Sequence, residues 1–224
     1  MDDDYSSDED ADLADILMSS SVSSRFEKTP HRFIPEGKFD KIVTREAVRD
    51  ALYSKTEVVD AVLIDYIVED ARKLFAVTVL TYFNKPEYLI RAMCLFRDRN
   101  FSDSIFPIED PPISKDGQFD LSAHPFAKMG KPWSRTKIHI FCNQQWKLLA
   151  PVFSTVEFNH DLGMHILPFI ARNEEASEGS FGFVRRYTIH PDHIQSSSTT
   201  RSKVGGLVLC QEYSLRICGR SIPI

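Results

Sequence analysis

The chain lacks most of the features that would tie it to a membrane, a metal or an oxidising compartment. No uninterrupted apolar stretch approaches the ~18–20 residues needed to cross a bilayer. Even setting Thr78 aside, the longest runs only from Leu74 to Leu80. The first twenty residues contain no basic side chain, whereas a secretory signal opens on positive charge followed by an apolar core. The four cysteines, Cys94, Cys142, Cys210 and Cys218, show no C-x-x-C spacing. Neither a zinc site nor a disulfide framework is therefore expected. These absences point to an intracellular, reducing compartment, cytoplasm or nucleus. No repeat recurs at the 20–50-residue periods of solenoids or propellers.

Charge is distributed unevenly. Of the 32 acidic residues, eight fall within the first twenty positions, from Asp2 to Asp15, while all 27 basic residues lie beyond them. The body of the chain is thus only mildly basic, too weakly so to argue for nucleic acid. Residues 1–40 read as an acidic, serine-rich disordered tail, because such a composition buries little apolar surface. One short amphipathic element, Leu13-Ala-Asp-Ile16-Leu17-Met18, interrupts it. It admits three readings: a docking helix, a phosphoregulated acidic tail with serines beside acids, or part of a solvating tail. The last is preferred, since so short a helix is marginal by itself.

Helical periodicity begins at Thr44. Thr44 is a suitable cap for a helix reaching Tyr53. Ser54-Lys-Thr-Glu57 has the form of a capping box. After it, Val59, Val62, Leu63, Tyr66, Ile67, Ala71, Leu74 and Phe75 recur at helical spacing, with Asp65, Glu69, Arg72 and Lys73 on the wet face. Asn84-Lys-Pro-Glu87 opens a further helix with an apolar stripe of Leu89, Ile90, Met93, Cys94 and Phe96, ending near Arg99-Asn100. Residues 101–132 gather Pro107, Pro111, Pro112, Pro125 and Pro132, with Gly117 and Gly130, and read as an inserted surface loop. Lys137-Ile-His-Ile-Phe141 is ambiguous between strand and helix, and Gln144-Gln145-Trp146-Lys-Leu-Leu-Ala-Pro-Val-Phe153 follows with an aromatic anchor and a proline stop. These features give a helical domain over 41–165.

The stretch Ser177-Glu-Gly-Ser-Phe-Gly-Phe-Val184 approximates the G-x-G-x-x-G-x-V loop that covers nucleotide phosphates in protein kinases. Ser177 stands at the first glycine, Gly179 and Gly182 at the second and third, and Val184 at the valine. Ser180 and Phe181 form the tip. Glycine suits such a loop because a β-carbon would hinder the approach of backbone N–H groups to phosphate. The loop needs a strand on each side, and Leu167–Ile170 and Val184–Ile189 can supply them. Glycines at this spacing also occur in ordinary hairpins.

Ile189-His190-Pro191-Asp192-His193 has several readings. The histidines and Asp192 could ligate a metal, but one turn offers few ligands and no partner cluster is visible. His-Pro-Asp also occurs between two helices in the J-domain of Hsp70 co-chaperones, yet here a strand-prone segment precedes it. The kinase catalytic pattern H-R-D-L-x-x-x-N does not fit. A polar turn leaving the second strand is the preferred reading.

Taken together, QWKLLAPVF, HILPFI and EGSFGFVRRYTIHPDH resemble the approach to the kinase domain in a group of filamentous-fungal serine/threonine protein-kinase-like proteins. The resemblance covers residues 40–193 and is most specific in the last fifty. It implies a fold that is mainly α: a helical N-terminal domain followed by a β-hairpin stump of a protein-kinase N-lobe, α+β overall. Residues 166–194 would be the partial N-lobe and 195–224 an atypical tail. It also implies ATP as ligand, bound weakly through Ser177, Gly179, Ser180, Phe181, Gly182 and Val184.

The departure from the family is severe. Lys203 has no apolar strand before it, and no Asp-Phe-Gly, Ala-Pro-Glu or catalytic-loop Asp–Asn pair occurs in the 224 residues. No catalytic or metal-binding residue can be assigned, so the expectation is a kinase-family fragment without phosphoryl-transfer activity, its last residues reading as unrelated sequence. The alternative is a non-enzymatic interaction module that binds a protein partner through the helical domain under control of the acidic tail. Neither reading involves nucleic acid or a membrane.

Overall fold

The computed structural model describes residues 12–26, 29, 31–53, 60–81, 86–113, 120–127, 129–130, 133–154, 164–172, 177–179, 182–184 and 187–195. The Ser54–Glu57 capping box, the Asn84 helix start, Gly117, Ser180, Phe181, Lys203 and the tail 195–224 beyond Gln195 lie outside the described residues. The chain divides into two compact units, one formed from Met1–Ser20 with Phe39–Gln145, the other from Ser21–Lys38 with Trp146–Ile224. The division falls at Gln145 and groups Ser21–Lys38 with the β-structure. Among the described residues there are seven α-helices and four two-stranded ladders. The α+β architecture, mainly helical, agrees with the sequence.

In the first unit the helices are α1 (Leu13–Ser20), the last turn of α2 (Glu36–Ile42), α3 (Arg45–Ala51), α4 (Ala61–Asp70), α5 (Arg72–Thr81), α6 (Pro86–Asp98) and α7 (Arg135–Gln144). Helix α5 is the centre. Every residue from Leu74 to Thr81 is buried, and α1, α4, α6 and α7 pack against it. A helix apolar on all sides must be interior. Its two threonines are tolerated because Thr78 Oγ1 donates to Leu74 O and Thr81 Oγ1 to Val77 O, each at 2.7 Å.

Local signals set several boundaries. Thr44 Oγ1 accepts from the Ala47 N–H at 3.2 Å, capping α3 as expected. At the end of α6, Asn100 has φ 55° and the Phe101 N–H donates to Phe96 O at 2.9 Å, a left-handed helix stop that asparagine accepts readily. The run read from Val59 to Phe75 is instead two helices, separated at Ala71. The reason is tertiary. Asp103 accepts the Lys73 and Leu74 N–H groups at 2.8 and 2.9 Å, so a carboxylate thirty residues away caps α5. Val62, expected on the apolar face, is exposed.

Two expectations change. Within the segment read as a disordered tail, the described residues carry regular structure: Leu13, Ala14 and Leu17 are buried on one stripe of α1, with Leu17 fully covered, while Asp15 faces solvent. The short helix is marginal alone but gains its stability from α5. The described residues of the proline-rich segment 101–132 are not all at the surface either. Ile108, Phe126 and Met129 are buried. Phe126 lies 4.6 Å from Trp133, 5.2 Å from Phe141 and 5.7 Å from Phe96 between ring centroids. Prolines here stop regular structure without preventing burial of the side chains between them. Lys137–Phe141 resolves as helix, within α7, with Ile138 and Phe141 on its buried side.

The second unit is built from short strands. β1 (Val22–Ser23) pairs antiparallel with β2 (Arg32–Phe33), and β3 (Phe153–Ser154) pairs parallel with β8 (Ile194–Gln195). β4 (Phe169–Arg172) pairs antiparallel with β7 (Tyr187–Ile189) through a bulge between Phe169 and Ala171. β5 (Ser177–Gly179) pairs antiparallel with β6 (Gly182–Val184). Phe153, Leu167, Phe169, Tyr187 and Ile189 form its core, with Phe26 and Ile194 against it. The rings of Phe169 and Tyr187 stack at 4.9 Å.

Candidate functional site

The glycine-rich segment folds as a hairpin nested inside another. The outer ladder joins β4 to β7, and in chain order the inner ladder, β5 to β6, lies between those strands. Ser177 is opposite Val184, Glu178 opposite Phe183 and Gly179 opposite Gly182. Paired glycines at the closing end of a ladder leave backbone groups open to close approach, since neither bears a β-carbon. Of the expected nucleotide-binding residues, the structure thus brings Ser177 to Val184 and Gly179 to Gly182 by backbone pairing. Ser180 and Phe181, the tip, are beyond what it describes. The flanking strands are displaced slightly from their expected bounds, starting at Phe169 and resuming at Tyr187.

The Ile-His-Pro-Asp-His segment is a turn, but not merely a polar one. Pro191–His193 form a 3-10 turn immediately after β7. His190 Nδ1 accepts from the Asp192 N–H at 3.2 Å, an N-cap by a histidine ring. His193 is only 1% exposed. Its Nδ1 is 3.1 Å from Pro151 O and its Nε2 is 3.4 Å from the Glu36 N. A carbonyl can only accept and a backbone N–H can only donate. His193 is therefore the neutral tautomer with its proton on Nδ1. Burial, the largest cause, holds its pKa below the ordinary histidine value, against the opposing hydrogen bond to Pro151 and the Glu36 charge. Burial also lowers the pKa of His190, against Asp192 and reinforced by Lys38.

With both ring nitrogens of His193 engaged, the metal-ligand reading of this turn has no lone pair from that residue to use. Among the described residues no group of three or more His, Cys, Asp or Glu could hold a metal. No described helix is long and apolar enough to cross a membrane. Cys142 is an inert thiol, buried and donating toward Glu109 O at 3.6 Å, with its pKa pushed up to about 12 chiefly by burial.

The segments quoted for the kinase resemblance meet in space. Pro151, from Ala-Pro-Val-Phe, accepts the His193 proton, and the next pair, Phe153 and Ile194, are parallel-strand partners. Pro168, from His-Ile-Leu-Pro-Phe-Ile, accepts the His190 N–H at 2.8 Å. The sequence reading did not identify the third participant, residues 31–38. Ile34 N–H donates to Lys147 O at 2.7 Å, and Phe33 presents its ring edgewise to His193 at 5.2 Å and to His190 at 5.9 Å. The available signal was the apolar Phe33-Ile34-Pro35 run, unusual in a tail otherwise read as solvated. Compared with protein families, with curated proteins and with solved structures, the chain matches none.

Proposed function

We propose that the chain is kinase-like, does not itself carry out phosphoryl transfer, and binds adenine nucleotide weakly at the Ser177–Val184 hairpin. The observation that carries this reading is the nested hairpin closed by Gly179 opposite Gly182. Its backbone is of the type that admits phosphate oxygens to N–H groups, and it stands between strands as a kinase loop requires. Assembly of the three resemblance segments into one unit supports the same reading.

Positioning of the phosphoryl group in kinases depends on a lysine–glutamate pair, a metal-binding aspartate and a catalytic aspartate acting together. The 224 residues supply no match to those motifs. Without them the hairpin would make backbone contacts only. Incubation with ATP and magnesium should give no phosphate transfer to the chain or to an added protein; transfer above a Gly179→Val, Gly182→Val control would overturn the inactivity. Titration with a fluorescent ATP analogue should give weak, saturable binding that the same double substitution abolishes. Binding unaffected by it would remove the hairpin from the proposal.

A further inference from the structure

The His190–His193 turn has a role that nucleotide binding does not require. Three chain segments converge on the His193 ring: the turn itself, the Ala150–Phe153 segment through Pro151 O, and the start of α2 through the Glu36 N–H. Phe33 closes one side edgewise. The approach to α2 is tight. A β-carbon placed on Gly37 would stand 2.8 Å from Asp192 Oδ2 and 2.9 Å from its Cγ. The atoms it would meet belong to the exposed Asp192 side chain, which would have to turn aside.

We propose that His193 is a pH-sensitive clasp that, while neutral, holds the Glu36–Lys38 end of the N-terminal segment onto the β-unit, and lets it go when protonated. The chemistry follows from the tautomer. Nδ1 already carries a proton for Pro151 O, so a second proton must enter at Nε2, where the Glu36 N–H now donates. Two donors would then face each other and the hydrogen bond is lost. The resulting cation would also sit in a site that is almost wholly buried.

The charged groups facing the ring divide. The Glu36 carboxylate from α2 and Asp192 from the turn favour the imidazolium, while His190 opposes it; Lys38 acts on His190 in the same opposing sense. Burial outweighs the favourable pair and keeps the ring neutral. Because the folded pKa lies below the unfolded one, the open form takes up the proton more readily. The contact is therefore complete above the ordinary histidine pKa of about 6.5 and is lost as pH falls below it.

Release is local. Ile34 is held separately by Lys147 O and Arg25 by Phe169 O at 2.6 Å, neither through a titrating atom. The Ile34 amide is thus an internal control. The clasp is independent of the kinase reading, since nucleotide is not involved.

The experiment is NMR on the full chain without added nucleotide. Long-range nitrogen–proton spectra should show His193 in the Nδ1–H form at neutral pH, titrating below the ordinary histidine value. Protection of the Glu36 amide from hydrogen exchange, corrected for intrinsic rate, should fall progressively as pH is lowered from 7.5 to 5. Protection at Ile34 should hold. His193→Gln, whose side-chain oxygen can accept the Glu36 N–H without titrating, should abolish the pH dependence, and His190→Gln should leave it. An Nε2–H tautomer, constant Glu36 protection across the titration, or the same loss in His193→Gln would each overturn the clasp. Should His193→Gln not fold, the wild-type tautomer and exchange data decide the matter.

Discussion

Gln145 offers the sharpest test of how the helical unit is held together. Its side chain is fully buried. Oε1 accepts from the Ile108 N–H at 2.8 Å, and Nε2 donates to Ile108 O at 2.6 Å and to Cys142 O at 2.8 Å. One amide thus satisfies both backbone polar groups of Ile108 in the proline-rich segment, a residue that lies in no helix or sheet. Gln145→Leu keeps the bulk and removes all three bonds. Each is worth ~0.5–1.5 kcal/mol net, and a buried donor left without a partner costs ~1–3 kcal/mol. The expected loss is about 3–5 kcal/mol, a large share of the ~5–15 kcal/mol that holds a domain together.

Urea unfolding followed by Trp133 fluorescence measures it, in a Trp146→Phe background so that the helical unit alone reports. With a urea slope of ~1–3 kcal/mol/M, the midpoint should drop by roughly 1–5 M at unchanged slope. Gln145→Glu separates polarity from shape. One carboxylate oxygen would face Ile108 O and Cys142 O, a repulsion that only protonation relieves. The folded-state pKa of that carboxyl would be raised, so the variant should be most stable in acid and lose stability as pH rises through that value. A Gln145→Leu protein within ~0.5 kcal/mol of the parent, the range of inconsequential surface changes, would refute the reasoning.

Two further substitutions test the revised boundaries of the core. Phe126→Ala should cost ~3–5 kcal/mol, as truncation of a fully enclosed aromatic does; the same urea titration checks it, and a surface loop would lose almost nothing. Leu17→Ala in α1 should cost ~2–5 kcal/mol if that helix belongs to the core around α5, read as a lower thermal midpoint by circular dichroism, whereas a solvating tail would show no change.

The fate of individual residues explains how much was legible beforehand. Periodicity sufficed for α3 and α6, whose apolar residues recur along one face; α4 and the start of α5 were read as one run. Thr44 capped its helix as expected because an N-cap bond spans only three residues. The break at Ala71 was illegible, since its cause, Asp103, lies far along the chain and reads there as one more polar loop residue. Gln145 had no signature either. A glutamine beside a tryptophan becomes a structural pin only when Ile108 arrives opposite it. In the candidate site, glycine spacing foretold a hairpin, and the ladder of Gly179 with Gly182 is local. His193 looked like part of a solvated turn, and only the approach of Pro151 and Glu36 made it a buried, doubly bonded ring.

Residue order alone was enough for features whose partners are within a few positions: helix caps, apolar stripes, the glycine hairpin and the acidic charge excess near the amino terminus. Long-range contact decided the rest. It recruited α1 from the acidic tail, drew Phe126 into an aromatic core, joined residues 21–38 to the β-unit and gave His193 its tautomer. The reason is the same in each case. Burial and hydrogen-bond satisfaction are properties of what surrounds a side chain, and for these residues the surroundings come from chain segments tens of positions away.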